Sequence, residues 1–194
     1  MTVGRKGDVL ENPRRRERVT LLETADETAG KRLTMAVHQE PSAVRMPEHF
    51  HPYQRETFTI NSGGLTYVLG RAIPRVARAG DVVVVEPGVP HQWWNEGPEP
   101  VEMVGVMEPA GRFVELMETI YGLTNDGKVS SNGMPNLLQA AVLVHEFRGD
   151  WVMTAIPPLA RALVMPVLAV IGRALGYRPT YHRYTQHGSA LASL

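Results

Sequence analysis

Apolar and polar residues alternate in short runs along the chain as far as about residue 107. In residues 31–40, Leu33, Met35 and Val37 share one face of a predicted half-buried strand. Residues 82–85 are all valine, and such a β-branched run predicts a strand buried in a sheet. We predict further short strands at residues 17–23, 56–60, 65–69, 73–76, 91–95 and 101–107. Turn residues, chiefly glycine and asparagine, separate these runs, so the pattern predicts an antiparallel sandwich or barrel.

After Pro109 the apolar residues recur at helical rather than strand spacing. Residues 111–122 predict one helix, and Asn136 is a suitable N-cap for a second helix that runs towards Arg148. We therefore divide the chain into a β domain, residues 1–109, and a helical C-terminal extension, residues 110–194. Within the β domain we expect an N-terminal arm up to about residue 16 that is loose apart from a short strand near Val9 and Leu10.

The most apolar stretch of the extension is residues 152–171. It is interrupted by prolines, which break a helix in lipid, and by Arg161, which is costly at the centre of a bilayer. It therefore predicts two short helices that pack one face on the β domain or on a partner subunit, and no membrane span. The residues expected on that buried face are Leu159, Leu163, Leu168 and Ile171.

Composition narrows the function classes. The 194 residues include 20 basic and 20 acidic residues, so there is no electrostatic reason to expect nucleic acid as a partner. There are no cysteines, which excludes disulfides and thiolate sites and leaves nitrogen and oxygen as metal ligands. The N-terminus lacks the apolar run of a signal peptide, and we expect a cytoplasmic protein.

The residues with the clearest chemistry follow one another closely. His49 and His51 stand one residue apart, so in a strand both side chains point the same way. Pro52 disfavours a continuing strand, and a turn over residues 52–55 would return Glu56 towards the two imidazoles. Two nitrogens and one carboxylate oxygen would then converge, and this ligand set suits a borderline transition metal.

A second stretch, residues 80–95, supplies a further histidine. It contains the valine strand, a Pro-Gly turn and His91, with Asn95 on the same face as His91. In order and in spacing, the two stretches together resemble the two sequence motifs of the cupin superfamily. The resemblance extends from residue 48 to residue 95, and one departure is visible, because Glu86 stands where the motif usually has a proline.

The resemblance implies both a fold and a metal site. The implied fold is mainly β, an antiparallel double-sheet jelly-roll barrel followed here by the helical extension. The implied ligands of one divalent transition metal (Fe, Mn, Ni or Zn) are His49, His51, Glu56 and His91. The residues expected to line an apolar substrate pocket beside them are Phe58, Ile60 and Trp93. The residues expected to support the ligands are Tyr53, Gln54 and Asn95.

Four protein ligands on an octahedral ion leave about two positions open. With iron, the chemistry would be that of an oxygenase, and with zinc or nickel that of a Lewis-acid isomerase or cyclase. We therefore predict a metal-dependent enzyme that acts on a small organic molecule, with both chemistries open. The alternatives are a cupin that binds or senses a small ligand without turnover, and a structural or membrane-associated protein. We expect a homodimer, because two-fold dimers are the commonest assemblies, and neither nucleic acid nor a membrane as a partner.

Overall fold

The computed structural model describes residues 4–185, which form two antiparallel sheets and three α-helices. The strands are β1 Val9–Asn12, β2 Glu17–Glu23, β3 Leu33–Gln39, β4 His49–Phe50, β5 Arg55–Ser62, β6 Gly64–Leu69, β7 Arg75–Arg78, β8 Val82–Val85, β9 His91–Trp94, β10 Val101–Glu108 and β11 Val152–Met153. The helices are α1 Phe113–Asn125, α2 Leu137–Glu146 and α3 Met165–Ala174. Residues 1–3 of the expected arm and 186–194 of the expected extension lie outside the described residues.

The six-stranded sheet has the order β1-β2-β3-β10-β5-β8, and the five-stranded sheet has the order β11-β4-β9-β6-β7. The alternation seen in the sequence places Leu33, Met35 and Val37 in the core, as predicted. The two sheets face each other, since the ring of Phe58 in β5 packs edge-on against Trp93 in β9 with centroids 5.8 Å apart. The predicted mainly β, antiparallel architecture with following helices is therefore confirmed.

The helices share one hydrophobic core with the sheets. Asn136 caps α2 as predicted, because its Oδ1 accepts a hydrogen bond from the Gln139 backbone N–H at 3.1 Å. The expected domain division at residues 109 and 110 falls between β10 and α1. Phe113 of α1 and Phe147 after α2 belong to the same buried cluster as Phe58 of β5.

The short strand expected near Val9 and Leu10 is present as β1, but the rest of the described arm is not loose, which corrects that part of the expectation. Strand β1 pairs with β2, and Leu10 is buried against the core. Arg15, which we expected in a solvated arm, is only 8% exposed. The Arg15 guanidinium lies 2.6 Å from the Glu17 carboxylate, and the Arg15 backbone N–H donates a hydrogen bond to Asn12 Oδ1. A buried ion pair and a backbone bond thus anchor the segment.

Residues 152–171 also differ from the prediction. They begin with β11 and continue as one helical stretch, a π-helical turn Ala160–Val164 that leads directly into α3. Leu159 and Leu163 are 72% and 62% exposed, so this face does not pack on the β domain, and its packing on a partner subunit stays a prediction. The buried residues of α3 are instead Met165, Ala169 and Gly172. Of the four residues expected inside, Leu168 is partly buried against the core and Ile171 is exposed.

Small side chains explain this choice of face. Helix α3 packs on α2, and a Cβ at Gly172 would lie 2.9 Å from the Leu138 carbonyl oxygen. Only a glycine there lets the two helices approach so closely, whereas leucines on that face would hold them apart. Within residues 4–185, no helix combines the length and the apolar character needed to cross a membrane.

Candidate metal centre

The four predicted ligands lie between the two sheets. His49 in β4 is the direct cross-strand neighbour of His91 in β9, and His51 follows β4 immediately. The chain bends after His51, and β5 then brings Glu56 back from the facing sheet, as the sequence predicts. All four side chains are buried.

Their functional atoms converge. The three histidines each offer one ring nitrogen, and these nitrogens lie within 4.8 Å of one another. Glu56 Oε2 lies 3.0 Å from His91 Nε2 and 3.6 Å from His51 Nε2. The structure therefore brings together the three imidazoles and the carboxylate that the resemblance singled out.

Backbone carbonyls orient all three imidazole rings. A carbonyl oxygen can only accept, so the Nδ1 that contacts it must carry the proton, and Nε2 keeps its lone pair. The contacts are His49 Nδ1 to Pro47 O at 2.8 Å, His51 Nδ1 to Asp150 O at 2.6 Å and His91 Nδ1 to Val89 O at 3.1 Å. This is the arrangement by which metal-ligating histidines are held in the correct tautomer.

Unpaired buried atoms provide a test of whether a metal fits. Among the described residues, His51 Nε2, His91 Nε2 and Glu56 Oε2 are buried and make no hydrogen bond, although they lie close together. A buried polar group without a partner costs about 1–3 kcal/mol. A divalent transition metal would satisfy all three atoms at once, and nitrogen with carboxylate oxygen is a ligand set such ions accept. The residues present therefore fit a metal ion.

The pKa shifts of Glu56 and His49 suit metal binding, whereas that of His91 favours a proton that a metal ion would have to displace. Burial alone would raise the pKa of Glu56, but the neighbouring His51 and His91 outweigh it and lower that pKa below its usual value. Burial, reinforced by His91 and His51, lowers the pKa of His49 well below its usual value. Burial also opposes the charged form of His91, yet the Glu56 carboxylate prevails and raises its pKa. An ionised Glu56 and a neutral His49 are the forms that coordinate metals.

Residues of the C-terminal extension complete the surroundings of the ligands. Strand β11 pairs with β4, so that Met153 lies opposite His49. The Trp151 ring centroid is 5.9 Å from that of His49, and the Phe113 ring meets His51 edge-on at 5.5 Å. The sequence analysis missed these residues, since no local pattern marks a partner such as Asp150, which lies 99 residues from His51.

Gln54 supports the site through Asp150. Its Nε2 donates a hydrogen bond to Asp150 Oδ1 at 2.8 Å, and the Arg112 backbone N–H donates to the same oxygen at 2.9 Å. Gly111 has a φ of +56°, and any Cβ there would overlap the Asp150 carboxylate. These contacts hold Asp150 in place, and the Asp150 backbone carbonyl orients the His51 ring.

The other two supporting residues expected from the sequence lie elsewhere. Tyr53 is 73% exposed, because the bend after His51 turns its side chain into solvent. Asn95 is buried, but its Nδ2 donates to the Gln39 and Glu99 carbonyl oxygens, both at 2.9 Å. Its role is to hold the loop after β9, and neither residue supports the ligands.

The turn before His91 is tied to the histidine pair. The Gly88 backbone N–H donates to the His51 carbonyl oxygen at 2.8 Å. Gly88 has a φ of +77°, a conformation that favours glycine over other residues. Glu86, the departure from the motif, forms a two-bond ion pair with Arg55 at 2.7 and 3.1 Å. An exposed pair contributes at most about 1 kcal/mol, so the backbone bond fixes the turn.

A cavity of about 100 Å³ reaches Glu56, one of the candidate ligands. Phe58 and Trp93 line it, and so does Trp151 of the extension, while the role of this cavity as a substrate pocket stays a prediction. Ile60 does not, which corrects the sequence expectation, since its side chain is packed in the core. Ile60 points inward from β5 as predicted, but the surrounding side chains fill the space beside it.

Comparisons with known proteins agree with this geometry. The sequence model of the Cupin domain family matches residues 35–107, a range that contains all four candidate ligands. No curated protein matches the chain. Many solved structures match part of the chain, in the first of them 47% of it.

Three of these structures illustrate the similarity. An uncharacterized conserved protein with a double-stranded β-helix domain from Klebsiella pneumoniae is 28% identical, over 47% of this chain and 75% of that one, with a TM-score of 0.41. A cupin-like protein from Thermotoga maritima is 23% identical, over 56% and 80%, with a TM-score of 0.43. Oxalate decarboxylase from Lactobacillus farciminis, solved as a formate complex, is 19% identical, over 53% and 31%, with a TM-score of 0.44. The family match thus carries the assignment, which is limited to the range it covers: residues 35–107 are a cupin domain.

Proposed function

We propose that this protein is a metal-dependent enzyme that acts on a small organic molecule. The proposed ligands are His49, His51, Glu56 and His91, and the proposed ion is Fe, Mn, Ni or Zn. The observation that carries the proposal is the convergence of three buried imidazoles, each with Nδ1 bound to a backbone carbonyl, on a carboxylate without a hydrogen bond among the described residues. A core built only for stability would not leave these atoms unpaired.

The bound ion would supply oxygenase chemistry if it is iron, or Lewis-acid catalysis of isomerisation or cyclisation if it is zinc or nickel. The protein's own residues hold the ion and shape the space beside it. Glu56 contributes one negative charge, so a site with a divalent ion is net positive and favours an anionic or enolate-like oxygen. Phe58, Trp93 and Trp151 present apolar surface to the substrate and exclude water from it.

The second candidate is a cupin that binds or senses a small ligand without turnover. The apolar lining of the cavity favours it, because such a surface offers few groups that could transfer a proton. In both cases we propose that the two sheets act as the jelly-roll barrel of the family and that the protein works as a homodimer. The extension, residues 110–194, then belongs to the site through Asp150 and Trp151.

Metal analysis tests the ligand assignment. Protein purified without chelators or affinity metal should contain about one equivalent of a divalent transition metal, and His51→Ala and His91→Ala should each fall well below it. His38→Ala is the matched control, since His38 instead bonds the Glu102 carboxylate at 2.6 Å on the β3–β10 surface. Full occupancy in both site variants would show that the assignment is wrong.

Turnover separates the two candidate functions. Oxygen uptake by the iron-loaded protein with a panel of catechols and diketones would identify an oxygenase. Consumption of the same compounds without oxygen by the zinc- or nickel-loaded protein would identify Lewis-acid catalysis. Binding of these compounds without any conversion would favour the sensing function.

A further inference from the structure

A second polar cluster lines the same cavity, in a wall that is otherwise mostly apolar. Arg15, Glu17 and Tyr121 are each more than nine-tenths buried, and all three line the cavity that reaches Glu56. The Arg15 guanidinium pairs with the Glu17 carboxylate at 2.6 Å and lies over the Trp93 ring, 4.7 Å from its centroid. The Tyr121 hydroxyl donates to Glu17 Oε1.

The charges in this cluster balance, but two buried atoms lack a hydrogen bond among the described residues: Glu17 Oε2, which the ion pair with Arg15 Nη2 satisfies electrostatically, and Arg15 Nε. Glu17 neutralises Arg15, and burial, together with the Glu17 charge, raises the pKa of Tyr121 well above its usual value, so its hydroxyl stays a protonated donor. Arg15 Nε is buried and has no hydrogen-bond partner among the described residues. Buried arginine donors are almost always satisfied, so an unpaired one in a cavity wall calls for an acceptor from a ligand.

The geometry points to a substrate-recognition site for a small, mostly apolar molecule. Arg15 binds an uncharged oxygen acceptor at one end of this molecule, and the other end faces the candidate metal centre. An uncharged acceptor fits because Glu17 already balances Arg15, and a further carboxylate would bring an uncompensated charge into an apolar wall. The aromatic faces of Trp93 and Phe58 suit the body of such a molecule. A cavity of about 100 Å³ limits that body to about one small ring.

This inference rests on the proposed function for the role of the molecule as a substrate, but its binding does not require the metal. The test therefore uses three probes, on both metal-free and metal-loaded protein. Cyclopentanone carries the acceptor, methylenecyclopentane is a hydrocarbon of nearly the same shape, and cyclopentanecarboxylate carries a charge. Binding is followed by NMR through the indole N–H resonance of Trp93, which is assigned by its loss in Trp93→Phe.

We expect cyclopentanone to bind about 10- to 100-fold more tightly than methylenecyclopentane, the range for a hydrogen bond to a charged donor. On the metal-free protein, where no ion can bind it, the carboxylate should bind more weakly than the ketone. In the double variant Arg15→Met/Glu17→Gln, which removes both charges together, the preference for the ketone should disappear. Arg16→Met makes the same change at the exposed neighbouring arginine and should preserve that preference.

Equal binding of the ketone and the hydrocarbon by the native protein would overturn the inference without any mutation, as would tightest binding of the carboxylate by the metal-free protein. A ketone preference that persists in the folded double variant would also overturn it. Metal content, measured on the same samples, should not change with Arg15. A failure of the metal assignment would appear in the histidine variants, and a failure of this inference would appear in the probe series.

Discussion

Asp150 offers the sharpest test of how the extension supports the metal centre. In Asp150→Ala, the Gln54 amide and the Arg112 backbone N–H both lose their acceptor. Gln54 is buried and its Oε1 already has no partner among the described residues, so its stranded Nε2 costs about 1–3 kcal/mol. The lost bond from the more exposed Arg112 adds about 1 kcal/mol. We therefore expect the free energy of unfolding of the metal-free protein to fall by about 2–4 kcal/mol.

The same change should weaken metal binding, because the Asp150 carbonyl orients His51. Disturbing a group that orients a ligand typically costs about 10- to 100-fold in metal affinity. Urea unfolding of metal-free protein measures the stability, and competition with a chelator measures the affinity. Asp81→Ala, which removes one bond to the Arg78 N–H in the β7–β8 turn, is the control and should keep the native metal affinity.

A double-mutant cycle with Gln54→Ala isolates the interaction between the two side chains. Since each single variant breaks the same hydrogen bond, the double variant should be less destabilised than the sum of the two. Strict additivity, or a loss of less than about 0.5 kcal/mol in Asp150→Ala, would refute the view that this contact ties the extension to the site.

Three further predictions concern the rest of the chain. Burial raises the pKa of Glu118 from 4.5 to about 7. A hydrogen bond from the Gly4 backbone N–H opposes this rise, and the charges of Asp8 and Glu115 add to it. Because the folded state holds the Glu118 proton more tightly than the unfolded state does, this proton contributes stability that is complete below about pH 4.5 and is lost as the pH rises through about 7. The free energy of unfolding should therefore fall by up to about 3 kcal/mol over that range. Glu118→Gln should abolish that fall in urea titrations at pH 5 and 7.5, and an unchanged pH slope would contradict the assignment. Gly63 and Gly7 both have a positive φ, +77° and +89°, but a Cβ at Gly63 would meet the Pro100 carbonyl, whereas a Cβ at Gly7 would face open space. Gly63→Ala should therefore lower the melting temperature more than Gly7→Ala. Equal losses would argue against the close contact at Gly63. Light scattering should give twice the monomer mass, and a monomer at every concentration would exclude the homodimer.

The sequence by itself determined the features that depend on neighbouring residues. Alternation predicted β3, and the spacing of His49 and His51 put both imidazoles on one face. The valine run predicted the strand β8 but wrongly predicted that it is buried, because β8 lies at the edge of its sheet with Val82 and Val84 exposed. Asn136 could be identified as a helix cap because a cap bonds a backbone N–H three residues ahead. Even the return of Glu56 followed from one local fact, that Pro52 disfavours a continuing strand.

Only the tertiary structure decided which of several similar side chains meet a distant partner. Tyr53 and Gln54 are adjacent in the sequence, yet one faces solvent and the other binds Asp150. The leucines of residues 159–163 are as apolar as a buried face requires, but close packing on α2 selected the small residues of α3 instead. Arg15 looked like part of a mobile arm, and its burial depends on Glu17 and on the Trp93 ring from the other sheet. Hydropathy and propensity are properties of a segment, whereas such contacts exist only once segments far apart in the chain have packed together.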